Sequence, residues 1–285
     1  MENIILKNSV MELSLLKPGT TYKKARFDWT GIIEQVTIGD TTFLGKESNG
    51  IEHGTEGLGL ISEFGISTPL SYWRTLPGKE FMKIGVGALT RNSLKPYNFF
   101  KDYDIRPFET KIKSYQDRVT FSQTDCSVGS YSYNYIKTIV IEDNVLTIFY
   151  SLENNGHSTI KTEEYNHNFL KLQDRKISLD TEININNKIY PKKLIGPLSL
   201  QGNKKININE NNDLIYLKSK LKNRPDNFVW NVTNGDKSIL CNENFPASKF
   251  ALWGKSHVVS PEVFHSFSIE PGKTLEWSRK YTFNN

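Results

Sequence analysis

At 285 residues with a formal net charge of +5, the chain is long enough to bury a sizeable core. Its basic residues are spread along the sequence, apart from short groups such as Lys192-Lys193 and Lys204-Lys205, which argues against a nucleic-acid footprint. The 37% hydrophobic and 12% aromatic content excludes a disordered polymer, and no apolar run is long enough to span a membrane. The two cysteines, Cys126 and Cys241, lie far apart without metal-ligand spacing, so neither a disulfide framework nor a zinc site is expected. Residues 1–16 lack the basic segment, apolar run and small-residue cleavage site of a secretory leader, and a cytoplasmic protein is the default expectation.

In chain order, residues 10–16 and 23–27 read as short strands around a Lys17-Pro18-Gly19 turn, with a third strand over 31–38. Residues 47–70 are glycine-rich, carry His53 and Glu63 and show no sustained periodicity, the mark of a long functional loop. Their Gly-Thr-Glu-Gly-Leu-Gly run lacks the lysine of a phosphate loop. Residues 81–87 are strand-like with Lys83 near the centre, and Arg91 follows. Tyr131, Tyr133 and Tyr135, then Leu146, Ile148, Tyr150 and Leu152, alternate with other residues on either side of Glu142-Asp143-Asn144, which predicts a hairpin with one buried face. Leu214, Leu217 and Leu221 have helical spacing within 212–223, the single short helix expected. Further strands are predicted within 175–208 and over 228–232, 238–241, 249–253 and 273–283.

The most informative stretch is 162–172, Thr-Glu-Glu-Tyr-Asn-His-Asn-Phe-Leu-Lys-Leu. A period of two puts Glu163, Tyr165, His167, Phe169 and Lys171 on one face. Two readings fit an imidazole flanked by rings, with an acid and a base at the ends: a structural histidine satisfied by neighbours, or the floor of a polar cleft.

Tyr165-Asn166-His167-Asn168-Phe169 resembles the Asn-His and following aromatic of the aldose 1-epimerases (galactose mutarotases), whose histidine is the general acid. Near the C-terminus, Ser260-Pro261-Glu262, then Ser268-Ile269-Glu270-Pro271-Gly272 and a last strand, resemble the end of the same superfamily. There a glutamate general base precedes a Leu-x-Pro-Gly turn; here Ile269 replaces the leucine. Residues 10–44 are similar to the family's opening hairpins. The resemblance implies an all-β fold, one large antiparallel β-sandwich (a galactose mutarotase-like supersandwich) with few short helices, as a single domain over 1–285. It implies His167 as acid and Glu262 as base, with Glu63, Lys83, Arg91 and Asn166 as candidate sugar-binding residues. The family's arginine and histidine-glycine patterns are not present in recognisable form, so the sugar is left open. His265 points by alternation to the face opposite Glu262 and is left out of the site.

Exchanging the anomers of an aldose needs a base for the anomeric hydroxyl and an acid for the ring oxygen. No cofactor or metal is required, and the expected partner is a small sugar rather than nucleic acid or membrane. The competing readings are a non-catalytic carbohydrate-binding sandwich and a lyase or hydrolase acting on a larger glycan.

Overall fold

In a computed structural model, residues 3–48, 56–172, 176–177, 180–209 and 214–285 are described; His53 lies outside them. Every strand pairing is antiparallel, and the strands gather into two ten-stranded sheets and one three-stranded sheet. The first large sheet runs in spatial order Ile4–Lys7, Met11–Leu15, Ile33–Ile38, Leu60–Phe64, Ile160–Asn168, Val258–Ile269, Ala247–Lys255, Ile215–Lys220 and Lys193–Ile195, with Thr41–Thr42 paired to Ile33–Ile38. The second runs Leu198–Gln201, Lys205–Ile208, Thr181–Ile185, Asn227–Asn234, Lys237–Asn244, Thr274–Asn284, Val145–Asn154, Tyr131–Glu142, Arg118–Val128 and Lys111–Ser114. The small sheet joins Glu80–Lys83, Gly87–Thr90 and Ile105–Pro107. Among the described residues the one helical element is the 3-10 turn Tyr72–Arg74. This is the all-β sandwich with few helices that the sequence predicts.

The large sheets face each other across the main core, where Phe64 meets Tyr135, Phe43 meets Phe283 and Phe228 stacks on Phe250. The first sheet is also covered on its other side. There a second apolar layer, including Phe27, Ile61, Phe81, Tyr97, Phe169 and Val258, packs beneath the small sheet. A strand buried on both faces loses its polar alternation. Leu60–Phe64 is such a strand: all five residues are buried. It lies inside the segment expected to be an irregular loop, because double burial removes the pattern that would have revealed it.

Other local expectations are also revised. Residues 23–27 form no ladder; Lys137 on the opposite sheet draws the neighbouring Asp28 inward with Nζ–Oδ2 at 2.7 Å, and the segment follows as an extended loop. Residues 81–87 form the tip of a hairpin rather than one strand, turning at Gly85 with φ 79°. A Cβ at Gly85 would stand 2.2 Å from Asp28 Oδ1, so only glycine fits. The helix expected over 212–223 is the strand Ile215–Lys220. Ile215, Leu217 and Ser219 are buried there and Lys218 and Lys220 exposed, a period-two pattern that outweighs the helical spacing of the three leucines.

The inner face of Ile160–Asn168 is fastened to the second sheet by polar groups. Glu164 accepts both ends of the Arg279 guanidinium fork at 3.0 and 2.8 Å, and Arg279 Nε also lies 2.7 Å from Glu243. All three are fully buried, and burial pushes both carboxyls upward while Arg279 pulls them down. Removing one partner of such a group leaves a buried charge uncompensated. Arg279→Leu is therefore expected to cost about 3–5 kcal/mol in urea denaturation at pH 7. The loss should shrink as pH falls, because the two orphaned carboxyls can then fold in their neutral form.

Candidate functional site

His167 and Glu262 meet through strand register. The Ile160–Asn168 and Val258–Ile269 strands pair at Tyr165↔Phe264, and the same register resumes at the Leu170↔Val259 bridge. Between those points His167 falls opposite Glu262, and side chains of directly opposed residues share a face. His167 Nε2 lies 3.2 Å from Glu262 Oε1. The pairing is interrupted here, and side chains take the place of ladder bonds: the Asn168 N–H donates to Ser260 Oγ at 2.9 Å and the Asn168 side chain to the Pro261 carbonyl at 2.6 Å. Pro261, which has no N–H, thus sits well inside a twelve-residue strand, not at a strand start.

Ser260 Oγ also contacts His167 Nδ1 at 2.8 Å and Glu262 Oε1 at 3.5 Å. One hydroxyl therefore bridges both members of the pair and fixes the ring's orientation. The imidazole stacks on Phe169 at 3.9 Å between centroids, with Trp253 at 5.3 Å and Phe27 at 6.1 Å edge-on. His167 is 3% and Glu262 6% exposed, so the two groups touch rather than face each other across a gap.

Beside them lies a buried ionic cluster. Arg26 Nε is 3.3 Å from Glu63 Oε2 and its Nη1 3.3 Å from Glu47 Oε2, while the Tyr165 hydroxyl donates to Glu63 Oε2 at 2.7 Å. Lys83 Nζ stands 3.5 Å from Glu63 Oε1 without an aligned hydrogen bond. The guanidinium is covered by Phe27, Phe99 and Phe100. Burial alone would lower the affinity of Arg26 for its proton, but Tyr165, Glu63 and Glu47 raise it. Burial lowers Lys83 to about 8 against the opposing pull of Glu63.

Electrostatics places the protons of the pair. Burial, and then the positive charge of Arg26, push His167 well below 6.5. Burial raises Glu262 from 4.5 to about 8, against the lowering effect of Arg26 and with Glu63 and Glu47 adding to the rise. Near neutral pH the pair is thus a carboxylic acid beside a neutral imidazole, the reverse of an ionised base beside a protonated acid.

Of the residues singled out in the sequence, His167, Glu262, Glu63 and Lys83 are brought together, and two are not. Asn166 points to the opposite face of its strand, where it bonds to Ser62, Asn168 and the Tyr281 hydroxyl inside the sandwich. Arg91 is buried and donates to the carbonyls of Ser93, Tyr72, Thr75 and Leu94; all three of its nitrogens are engaged in holding two loops together. His265 stacks on Phe245 on the core side, opposite Glu262. His257 Nε2 meets the Lys46 carbonyl. Arg26, Glu47, Ser260 and Trp253 went unremarked as site residues. Only Ser260, at i−2 from Glu262, carried a local signal, since alternation puts it on the same face.

Two outcomes follow from this geometry. Ser260→Ala strands the Asn168 N–H and His167 Nδ1, and should cost about 1–3 kcal/mol in thermal denaturation; Ser260→Thr, which keeps the hydroxyl, should restore most of it. For Glu262 the folded acidity, about 8, lies above the unfolded 4.5. The stability this carboxyl supports is therefore complete below 4.5 and lost as pH rises toward 8. Glu262→Gln should remove that dependence, so that the variant gains on wild type in denaturation midpoint between pH 5 and 9.

No family model matches the chain, and no curated protein matches it in sequence. The architecture does have counterparts among solved structures. A candidate aldose 1-epimerase from Escherichia coli K12 superimposes with a TM-score of 0.65 at 13% identity, over 99% of this chain and 98% of that one. A galactose mutarotase related enzyme from Lactobacillus acidophilus gives 0.60 at 12% identity, over 99% and 97%. A galactose mutarotase-like protein from Clostridium acetobutylicum gives 0.58 at 10% identity, over 99% and 94%. The fold is galactose mutarotase-like, and the chain is a sequence-divergent example of it.

Proposed function

We propose that this chain is an aldose 1-epimerase-like enzyme, interconverting the anomers of an aldose or aldose derivative through His167 and Glu262. The observation that carries the reading is the 3.2 Å contact of His167 Nε2 with Glu262 Oε1, imposed by cross-strand register on a face lined by aromatic rings. In a cyclic hemiacetal the ring oxygen and the anomeric hydroxyl sit on one carbon. A donor and an acceptor in contact with each other can therefore serve both oxygens from one side.

With the proton on Glu262, the carboxyl gives it to the ring oxygen as the bond from that oxygen to C1 breaks. His167 Nε2 takes the proton of the anomeric hydroxyl as the carbonyl forms. The pair then holds one proton as before, on the other partner. Rotation about C1–C2 presents the opposite carbonyl face, and reclosure returns both protons. The sequence motifs suggest Glu262 as base and His167 as acid; burial favours the opposite starting assignment, and each group plays both parts over a full cycle. In this reading Glu63, Lys83 and Arg26, the ionic cluster beside the pair, hold the sugar hydroxyls.

A second reading is favoured by the same contact: since no gap separates the two groups, the chain could be a carbohydrate-binding sandwich without turnover. Magnetisation-transfer NMR on a panel of aldoses separates them. His167→Asn and Glu262→Gln should each lower anomer exchange by roughly two to four orders of magnitude while remaining folded. The active pair holds one proton beyond a neutral imidazole and a carboxylate. Exchange should therefore hold steady below pH 8, fall about tenfold per pH unit above it as Glu262 ionises, and fall again in acid once His167 takes a second proton. Sugar binding by wild type with exchange no faster than buffer establishes the binding reading instead.

A further inference from the structure

The row that sets His167 against Glu262 continues across the sheet. Glu262 pairs with Ala251, Ala251 with Lys218, and Lys218 with Lys193, at the sheet's edge. Lys218 stands two strands from Glu262, about 10 Å at the usual strand spacing. The adjacent row runs from Ser260 through Trp253 to Tyr216. Both rings are half-buried, and Lys193 Nζ lies 5.4 Å from the centre of the Tyr216 ring. The line from the acid–base pair to the edge is thus aromatic first and cationic beyond.

The cations gather there through the fold. Residues 186–226 hold nine basic and three acidic residues, a net of +6 against +5 for the whole chain. Six of the nine, Lys188, Lys192, Lys193, Lys218, Lys220 and Lys222, lie on or beside the edge strands of the first sheet, whereas Lys204 and Lys205 lie on or beside a strand of the other sheet. Next to the row is a cavity of about 710 Å³ lined by Lys188, Tyr190, Lys192, Lys220 and Lys222, with no acidic residue in its wall. Among the described residues none of Lys188, Lys192, Lys193, Lys218, Lys220 or Lys222 forms an ion pair, whereas their neighbour Lys249 binds Glu163. Unpaired like charges brought together repel, and the repulsion is relieved by an anionic partner.

We infer that this margin of the sheet binds an acidic oligosaccharide, a chain of carboxylate-bearing sugars whose terminal unit reaches Glu262 and His167. The inference rests on the proposed sugar chemistry of that pair: a hemiacetal site continuous with an aromatic and then a lysine-rich track suits a reducing-end sugar followed by anionic units. The rings would stack on the sugar adjoining the pair, and the lysines would meet the carboxylates beyond it.

Calorimetric titration with tetragalacturonate, maltotetraose and a thymidine oligonucleotide tests it. Tetragalacturonate should bind, and maltotetraose at least about tenfold more weakly. Lys193→Ala/Lys218→Ala should weaken tetragalacturonate about tenfold, with the Arg/Arg double variant close to wild type. Lys204→Ala/Lys205→Ala removes the same charge and should leave binding near wild type, since the Lys205–Ile208 strand belongs to the other sheet. Equal affinity for the neutral and acidic oligomers, or an equal loss in the Lys204/Lys205 variant, overturns the inference. So does tighter binding of the oligonucleotide, which would mark a nucleic-acid surface. Wild type that binds tetragalacturonate but exchanges no sugar refutes the epimerase reading alone, and exchange without that binding refutes this inference alone.

Discussion

The site depends on the Ile160–Asn168 strand being held rigidly from behind. Alternate residues of that strand face opposite ways, and the inner set, Glu164, Asn166 and Asn168, is bonded to Arg279 and Tyr281 of the second sheet. A slip of one residue would turn Tyr165 and His167 into the sandwich and carry the Glu164 carboxylate to the outer face, away from Arg279. The polar contacts between the sheets thus set register and facing, and so fix which side chains point into the site. Lys137 does the same for the loop carrying Arg26, since it reaches Asp28, the Thr30 carbonyl and Ser62 together.

Placing a site on the outer face of a core sheet and then covering it has an electrostatic consequence. Under the second apolar layer, His167 and Glu262 lose hydration, and both are driven toward their neutral forms. Arg26 counteracts this for the carboxyl and reinforces it for the imidazole. Its charge brings proton loss from Glu262 down to about pH 8, within reach of ordinary conditions, while the ring is kept free to accept.

The sequence showed the strands that alternate and the two motifs that carry the pair, because both are local. The 131–154 hairpin and the closing strand have one face in the core and one outside, so their periodicity survives. Leu60–Phe64 lost its signal to double burial, and Ile215–Lys220 presented leucines whose spacing fits a helix by coincidence. Arg26 was invisible for a different reason. It sits in a ladder-free loop and meets Glu47 and Glu63 across 21 and 37 residues of sequence, a juxtaposition that no local pattern encodes. Asn166 and Arg91 show the converse. Residue type and proximity to a motif suggested ligand contacts, yet alternation turns Asn166 inward, and four carbonyls claim Arg91.

The charges around the pair also account for its single proton. Arg26 and Lys83 are matched by Glu47 and Glu63, and the surrounding tyrosines 22, 97 and 165 are all pushed up, first by burial, and stay neutral. Two cations and two anions balance, so ionising Glu262 adds a net negative charge, one that Arg26 attracts and that Glu63 and Glu47 repel. Burial has the largest effect on the carboxyl and raises its pKa. A proton passed to His167 within the contact leaves the cluster neutral overall, whereas one lost to solvent does not. The arrangement therefore favours exchange of a proton between the two groups, through whatever lies against them, over its release.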